Sequence, residues 1–157
     1  MKPSVYLETT IISYLAARPS RDVITAAYQK ITVEWWATRD AFRLFVSERV
    51  IHEANAGNAT MAAKRLQFVE GIASLSMTDE TTSFAKLILQ STSLPAKAAE
   101  DALHIALASV HEIDFLLTWN CKHIANAVLI RKVAELCDQC GYKWPVICTP
   151  PELLAKS

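Results

Sequence analysis

Glycine is scarce in this chain, with three in 157 residues. Walker-type and dinucleotide phosphate cradles are built on glycine-rich turns whose backbone comes close to the ligand, so the material for such a site is missing. No apolar run is long enough to span a bilayer. The chain runs straight into Val5-Tyr6-Leu7 without the basic, apolar and small-residue order of a secretory leader, and the expectation is a cytoplasmic protein that meets no membrane. Charge excess is absent too: 16 basic and 16 acidic side chains cancel. Without a global positive field, any polyanion must be met by a local patch.

Cysteine is present but sparse, with four residues. Disulfides are not expected in a reducing compartment. Cys137 and Cys140 have C-x2-C spacing, with Cys121 and Cys148 on either side, so zinc has to be weighed. A structural zinc ribbon carries two such knuckles on tight turns. Here the single knuckle falls at the end of an amphipathic helix holding Val133, Leu136, Cys137 and Cys140, and the expectation is buried free thiols. With 52% apolar residues, the chain is read as one domain over residues 1–157, burying about 68–70% of its unfolded surface.

Short β-branched or aromatic runs alternate with helical patterns. Val5-Tyr6-Leu7, Leu44-Phe45-Val46, Leu75 to Met77, Phe115-Leu116-Leu117 and Val146-Ile147-Cys148 read as strands. Helices are expected over Ile11 to Ala17, from an Asp22 cap to near Arg39, and from a Ser47 cap to Asn55. Further helices follow an Asn58 cap, run from Thr78 or Asp79 to about Gln90, carry Asp101, and span Ala127 to Cys140 with Gly141 as terminator. Val23, Ala26, Ala27, Ile31 and Trp35 define the inner face of the second helix. One tryptophan of Trp35-Trp36 should face outward and is a dimer-interface candidate. Strands alternating with helices imply an α/β fold: a three-layer α/β/α sandwich on a central parallel sheet of four to five strands. In such sheets ligands gather at the carboxyl ends of the strands.

The residues just past each strand are therefore the place to look for a site. Glu8 comes after the first strand, Ser47 after the second with Glu53 beyond it, and Asn120 after the fourth; Asp101 opens the helix that feeds the fourth. Each has a bland alternative. Glu8 could serve the helix dipole with Thr9 and Thr10 as caps, an effect of about 0.3–1 kcal/mol. Glu53 could be a solvated helix acid near Arg49, His52 and Lys64, and Asn120 could cap the turn at Cys121. Asp101 is the exception. Ala98, Ala102, Leu103, Ile105, Ala106, Leu107 and Ala108 leave almost no wet face around it, and an unpartnered buried carboxylate is costly. Glu100 points about 100° away and reads as solvated.

Oxygen ligands at one sheet edge, with no cysteine or histidine trio among them, suit Mg²⁺ or Mn²⁺. Such an ion supplies charge, a more acidic water and alignment for phosphodiester hydrolysis. The strand followed by Glu8-Thr9-Thr10, then Ser47 with Glu53, Asp101-Ala102-Leu103-His104-Ile105-Ala106, and Leu116-Leu117-Thr118-Trp119-Asn120 with Lys122-His123-Ile124-Ala125-Asn126, resembles the PIN-domain ribonucleases, especially the small VapC-like toxins of toxin-antitoxin systems. The resemblance runs from Val5 to about Leu154. It implies Glu8, Glu53, Asp101 and Asn120 as the four catalytic positions, with Glu8 and Asp101 on the metal and RNA as substrate. It also implies a cognate antitoxin and a homodimer.

Two positions depart from the family pattern: Glu8 and Asn120 stand where aspartate is usual. Asn120 makes the site less negative and favours one-ion chemistry, weak activity, or an RNA-binding protein that no longer cleaves. Thr9 and Thr118 could orient water or phosphate, or act as caps. His104 is read first as a packed, satisfied histidine and second as a proton relay to the carboxylate. Arg18, Arg21, Lys97, Lys122 and His123 are the phosphate-contact candidates, against plain solvated surface. Phosphatase or nucleotide-hydrolase chemistry at an acidic edge is a third class, weakened by the missing glycine loop.

Overall fold

The computed structural model describes residues 1–154. Five strands are present: β1 (Ser4–Leu7), β2 (Arg43–Ser47), β3 (Ala73–Leu75), β4 (Phe115–Leu117) and β5 (Val146–Cys148). They form one sheet in the order β3-β2-β1-β4-β5, and every neighbouring pair is parallel. Seven helices connect them: α1 (Thr9–Ala16), α2 (Val23–Trp36), α3 (Glu48–Ala54), α4 (Ala59–Val69), α5 (Asp79–Ser91), α6 (Ala99–Val110) and α7 (Ala127–Cys140). A parallel sheet buried on both faces needs continuous apolar strands. β1 supplies one, with Val5, Tyr6 and Leu7 fully buried.

The chain steps outward from β1 to β2 and β3, then returns past β1 to lay down β4 and β5. Right-handed crossovers make the direction of stepping decide the face on which a helix lies. The helices accordingly sort into two packed groups, α1 against α2, α3 and α4, and α5 against α6 and α7. The reversal of direction falls between β1 and β4, where Tyr6 pairs with Leu116 and Leu7 with Leu117. That crevice is where an open α/β sheet receives a ligand.

Local signals set most boundaries as expected. Asp22, Ser47, Asn58 and Thr78 each accept a backbone N–H at a helix start. Gly141 closes α7 in the left-handed region at φ 76°, a conformation without penalty for glycine. Two expectations are corrected. β3 lies two residues before the expected Leu75 to Met77, because its edge pairing to β2 sets the register, Phe45 to Ala73 and Ser47 to Leu75, and pairing outweighs a short apolar run.

The face assigned to α2 holds only in part: Trp35 is buried and Ala26 and Ile31 half-buried, while Val23 is 81% exposed and Ala27 exposed, and Thr32 is buried in their place. This helix touches the rest mainly through α1 and the 3-10 turn at Pro150–Leu153, so half of its apolar side chains find nothing to pack on. Neither tryptophan faces outward. Trp35 is fully buried, and Trp36 lies edge-on to Phe68 and beneath the Arg39 guanidinium.

At the amino end of the sheet, Asp114 ties β1 to β4. It accepts from the Ser4 amide at 2.8 Å and from Lys143 Nζ at 2.5 Å. The Lys143 ammonium, with the Ser4 amide, lowers the Asp114 carboxyl to about 2. A depressed carboxylate stabilises the fold above its unfolded value and loses that contribution as pH falls through the folded one. Wild type should therefore lose stability between about pH 4 and 2. Asp114→Asn should flatten that part of the curve, measured by denaturant unfolding against pH.

The thiols are not uniformly buried as expected: Cys137 and Cys148 are buried, Cys121 and Cys140 exposed. Cys137 packs among the buried residues of α7, whereas Cys140 is the last residue of that helix and reaches water at its end. Burial pushes the Cys148 thiol up to about 12 and raises Cys137 as well, and only a thiolate is nucleophilic. Dithio-bis-nitrobenzoate at pH 8 should label Cys121 and Cys140 rapidly and reach Cys137 and Cys148 only on unfolding.

Candidate active site

The ladders on both sides of β4 continue past the strands, with the Glu8 amide donating to the Leu117 carbonyl at 3.1 Å on the β1 side and the Thr118 amide to the Cys148 carbonyl at 3.0 Å on the β5 side. This brings Glu8-Thr9-Thr10, at the start of α1, against Thr118-Trp119-Asn120. Glu8 holds the N-cap position of α1, yet its side chain makes no cap hydrogen bond. Instead Glu8 Oε1 accepts from Thr10 Oγ1 at 2.5 Å and from Thr118 Oγ1 at 2.6 Å. Each hydroxyl in turn accepts a backbone N–H from the β4 loop, Trp119 to Thr10 and Asn120 to Thr118. Glu8 is 4% exposed. No side-chain cap closes the start of α1; Thr10 turns to Glu8, and Thr118 serves Glu8 while also capping its own turn through the Asn120 amide.

Asn120 extends the network. Its Nδ2 donates to Asp101 Oδ1 at 3.0 Å, and its Oδ1 accepts the His123 amide at 3.0 Å. His123 Nδ1 lies 2.9 Å from Asp101 Oδ2. Asp101 is less buried than its apolar neighbours imply, with its side chain 21% exposed, because it occupies the first turn of α6 where the helix meets the edge. His123, a phosphate-contact candidate in the sequence, is engaged by Asp101. Trp119 pins the same loop: its ring stacks on Tyr28 at 4.3 Å, and its Nε1 donates to Thr32 at 2.8 Å.

Glu53 heads a second limb. Its Oε1 accepts from Thr9 Oγ1 at 2.7 Å and from His104 Nε2 at 2.6 Å. His104 is 1% exposed, and its Nδ1 meets the Tyr6 hydroxyl at 2.7 Å, which meets Ser47 Oγ at 2.8 Å. The first reading of His104, packed and satisfied, describes it, and the carboxylate it binds is Glu53 rather than Asp101. The sequence places Tyr6 on the first strand and gives it no role in the site. The available signal was a tyrosine on a buried strand, whose hydroxyl requires a partner.

Burial opposes charge on His104 more than any other single influence. The hydrogen bond to Glu53 and the charges of Glu8, Glu53 and Asp101 together outweigh it, and its pKa is raised. Burial likewise works against the Glu53 charge, but His104, Thr9 and Arg49 reverse it and its pKa is lowered. Both shifts favour the charged forms, an imidazolium held by a carboxylate. Burial chiefly raises the Tyr6 hydroxyl well above its usual range, so it stays protonated. Arg49 is itself held by Glu100 at 2.5 Å, and the Glu100 side chain stays 47% exposed, in keeping with its solvated reading.

Three carboxylates thus share one edge: Glu8 and Asp101 are linked through Thr118 and Asn120, and Glu53 joins them through the consecutive residues Thr9 and Thr10. Among the described residues no three acidic, histidine or cysteine side chains converge as a ready metal cage. Every side-chain hydrogen bond to Glu8 and Glu53 lands on Oε1, which leaves Oε2 of each outside the network. These are hard oxygen donors of the kind a magnesium or manganese ion takes.

No family model and no curated protein matches this sequence. Among solved structures, the fold is similar to a chain in the crystal structure of VapBC2 from Rickettsia felis bound to a DNA fragment from their promoter. The TM-score is 0.53 at 12% identity, over 93% of this chain and 98% of that one.

The imidazolium and carboxylate shift in opposite directions, which fixes the pH window of their contribution. Below about pH 6.5 the raised His104 contributes in full, and that part is lost as pH rises through its folded pKa. The lowered Glu53 contributes above about pH 4.5 and fails as pH falls. His104→Gln should cost about 1.5–3 kcal/mol near pH 6 and less at pH 9, measured by urea unfolding at both. A pH-independent cost would show that the pair is uncharged.

Proposed function

We propose that this chain is a single-domain metal-dependent endoribonuclease of the PIN type, acting as the toxin of a toxin-antitoxin pair. The observation that carries the reading is the linked set of Glu8, Glu53 and Asp101 at the switch point between β1 and β4. The likeness to VapBC2 supports the same architecture. Glu8 and Asp101 would hold Mg²⁺ or Mn²⁺, with Glu53 as the third acid. When bound, the ion supplies charge stabilisation for phosphodiester hydrolysis and lowers the pKa of water at the site.

The chain's own residues do the rest. Thr10 and Thr118 fix one oxygen of Glu8 and turn the other outward. Asn120 acts through Asp101 by donating to Oδ1, so the neutral residue at the fourth position positions an acid. His104 holds Glu53 in one rotamer with its charge balanced. Lys122 and Thr9 stand on the RNA side of the proposal, although Thr9 also donates to Glu53. The resemblance to VapC-like toxins makes a cognate antitoxin the expected partner. The exposed Val23, Ile24 and Val33 of α2 are the surface on which homodimer formation would draw. No helix among the described residues is long and apolar enough to cross a membrane, and a cytoplasmic location is part of the proposal.

A second reading, an RNA-binding protein without cleavage, draws on one feature: both oxygens of Asp101 are engaged by Asn120 and His123. Incubating structured RNAs with Mn²⁺ separates the two. Wild type should cleave, and Asp101→Asn should lose more than about 100-fold, beyond the 10–100-fold typical of an outer partner. Asn120→Ala should fall within that outer range. Equal RNA binding with no cleavage by either wild type or Asp101→Asn would overturn the enzyme and leave the binder.

A further inference from the structure

A cleft between the α5–α6 connection and α7 adjoins the network described above and shares only His123 with it. Its volume is about 500 Å³, within the roughly 300–1,000 Å³ of sites that take small organic ligands. Its position is informative. His123 lines the cleft and also lies 2.9 Å from Asp101 Oδ2, so the cleft opens beside the acidic edge.

Its charge is opposite to that of the edge. Lys122, Arg131 and Lys132 line it against one carboxylate, Glu135. Glu135 meets Arg131 and Lys132 only loosely, at 3.9 and 3.5 Å, and exposed pairs of this kind exchange readily for a better anion. Lys122 makes no ion pair among the described residues. The first amides of α7 are already taken, since Asn126 Oδ1 accepts from Val128 and Leu129. Anion recognition therefore falls to the flexible cations and not to the helix end. Leu94, Pro95 and Val128 give the cleft an apolar wall, with Val128 80% exposed. An exposed apolar surface beside mobile cations matches a ligand with one flat face and one phosphate.

We propose that this cleft binds one nucleotide of the RNA strand next to the scissile phosphate, its base on Leu94, Pro95 and Val128 and its phosphate on Lys122 and Lys132. The proposal takes its substrate from the ribonuclease reading, but its test does not need cleavage. Nitrogen-15-labelled full-length chain is titrated in EDTA with AMP, UMP, inorganic phosphate and a short single-stranded oligoribonucleotide. AMP and UMP should shift amides of residues 92–94 and 122–132, and the oligoribonucleotide should shift the same set with at least about tenfold tighter affinity. The exposed-site double variant Lys122→Glu/Lys132→Glu should weaken both by about tenfold or more while leaving the rest of the spectrum in place.

Shifts confined to other regions would overturn the proposal. So would phosphate that binds as well as AMP, or an oligoribonucleotide that leaves these amides unmoved. Failure of wild type to cleave RNA with Mn²⁺ would refute the ribonuclease reading without moving these shifts, and unmoved shifts would refute the cleft with cleavage intact.

Discussion

The pairing of β1 with β4 is the constraint on which the acidic edge depends. Two strands more than a hundred positions apart in the chain lie side by side, with Leu7 opposite Leu117, and the ladder runs one step further through the Glu8 amide. That extra step sets the start of α1 against the loop after β4. Thr10 and Thr118 then reach the same oxygen of Glu8 from opposite sides. Without this register Thr118 has no carboxylate to serve, Thr10 has no Trp119 amide to accept, and Asn120 has no fixed place from which to meet Asp101. The same pairing creates the switch in stepping direction, so the groove and its side chains share one geometric cause.

Gathering carboxylates at a low-dielectric edge is unfavourable unless each charge is met. Three different solutions appear here. Glu8, the most buried of the three, is met by neutral hydroxyls. Asp101 takes one amide and one imidazole. Glu53 takes a buried imidazolium whose far nitrogen rests on Tyr6. The consecutive residues Thr9 and Thr10 divide between the two glutamates, so one helix start couples both limbs. The neighbouring cleft reverses the sign, with lysines and arginine a few residues from the acids. A chain of zero net charge thereby presents adjacent fields of opposite polarity, and electrostatic focusing by clefts requires only local separation of charge.

Much of the fold was legible because the deciding physics is local. Ser47, Asn58 and Thr78 cap the helices they precede, and Gly141 ends α7, since a cap needs only its own neighbours. The β3 shift and the partly misassigned face of α2 are failures of a different type. A three-residue edge strand takes its register from its partner, and a helix at the periphery leaves apolar residues exposed however regular their spacing. Asp101 drew attention through its apolar neighbours, while Glu8 proved the more deeply buried acid. A side chain at a helix start is buried by whatever crosses in front of it, and that is a distant segment.

The sequence by itself determined the alternation of strands and helices, their caps and the presence of an acid or amide after each relevant strand, because these depend on propensity and spacing over a few residues. Tertiary structure alone decided which donor meets which acid. Glu53 rather than Asp101 receives His104, Tyr6 closes that limb from a neighbouring strand, and His123 turns to Asp101. Hydrogen bonds form between atoms within about 3 Å of one another, and for residues separated by most of the chain only the folded sheet sets that distance.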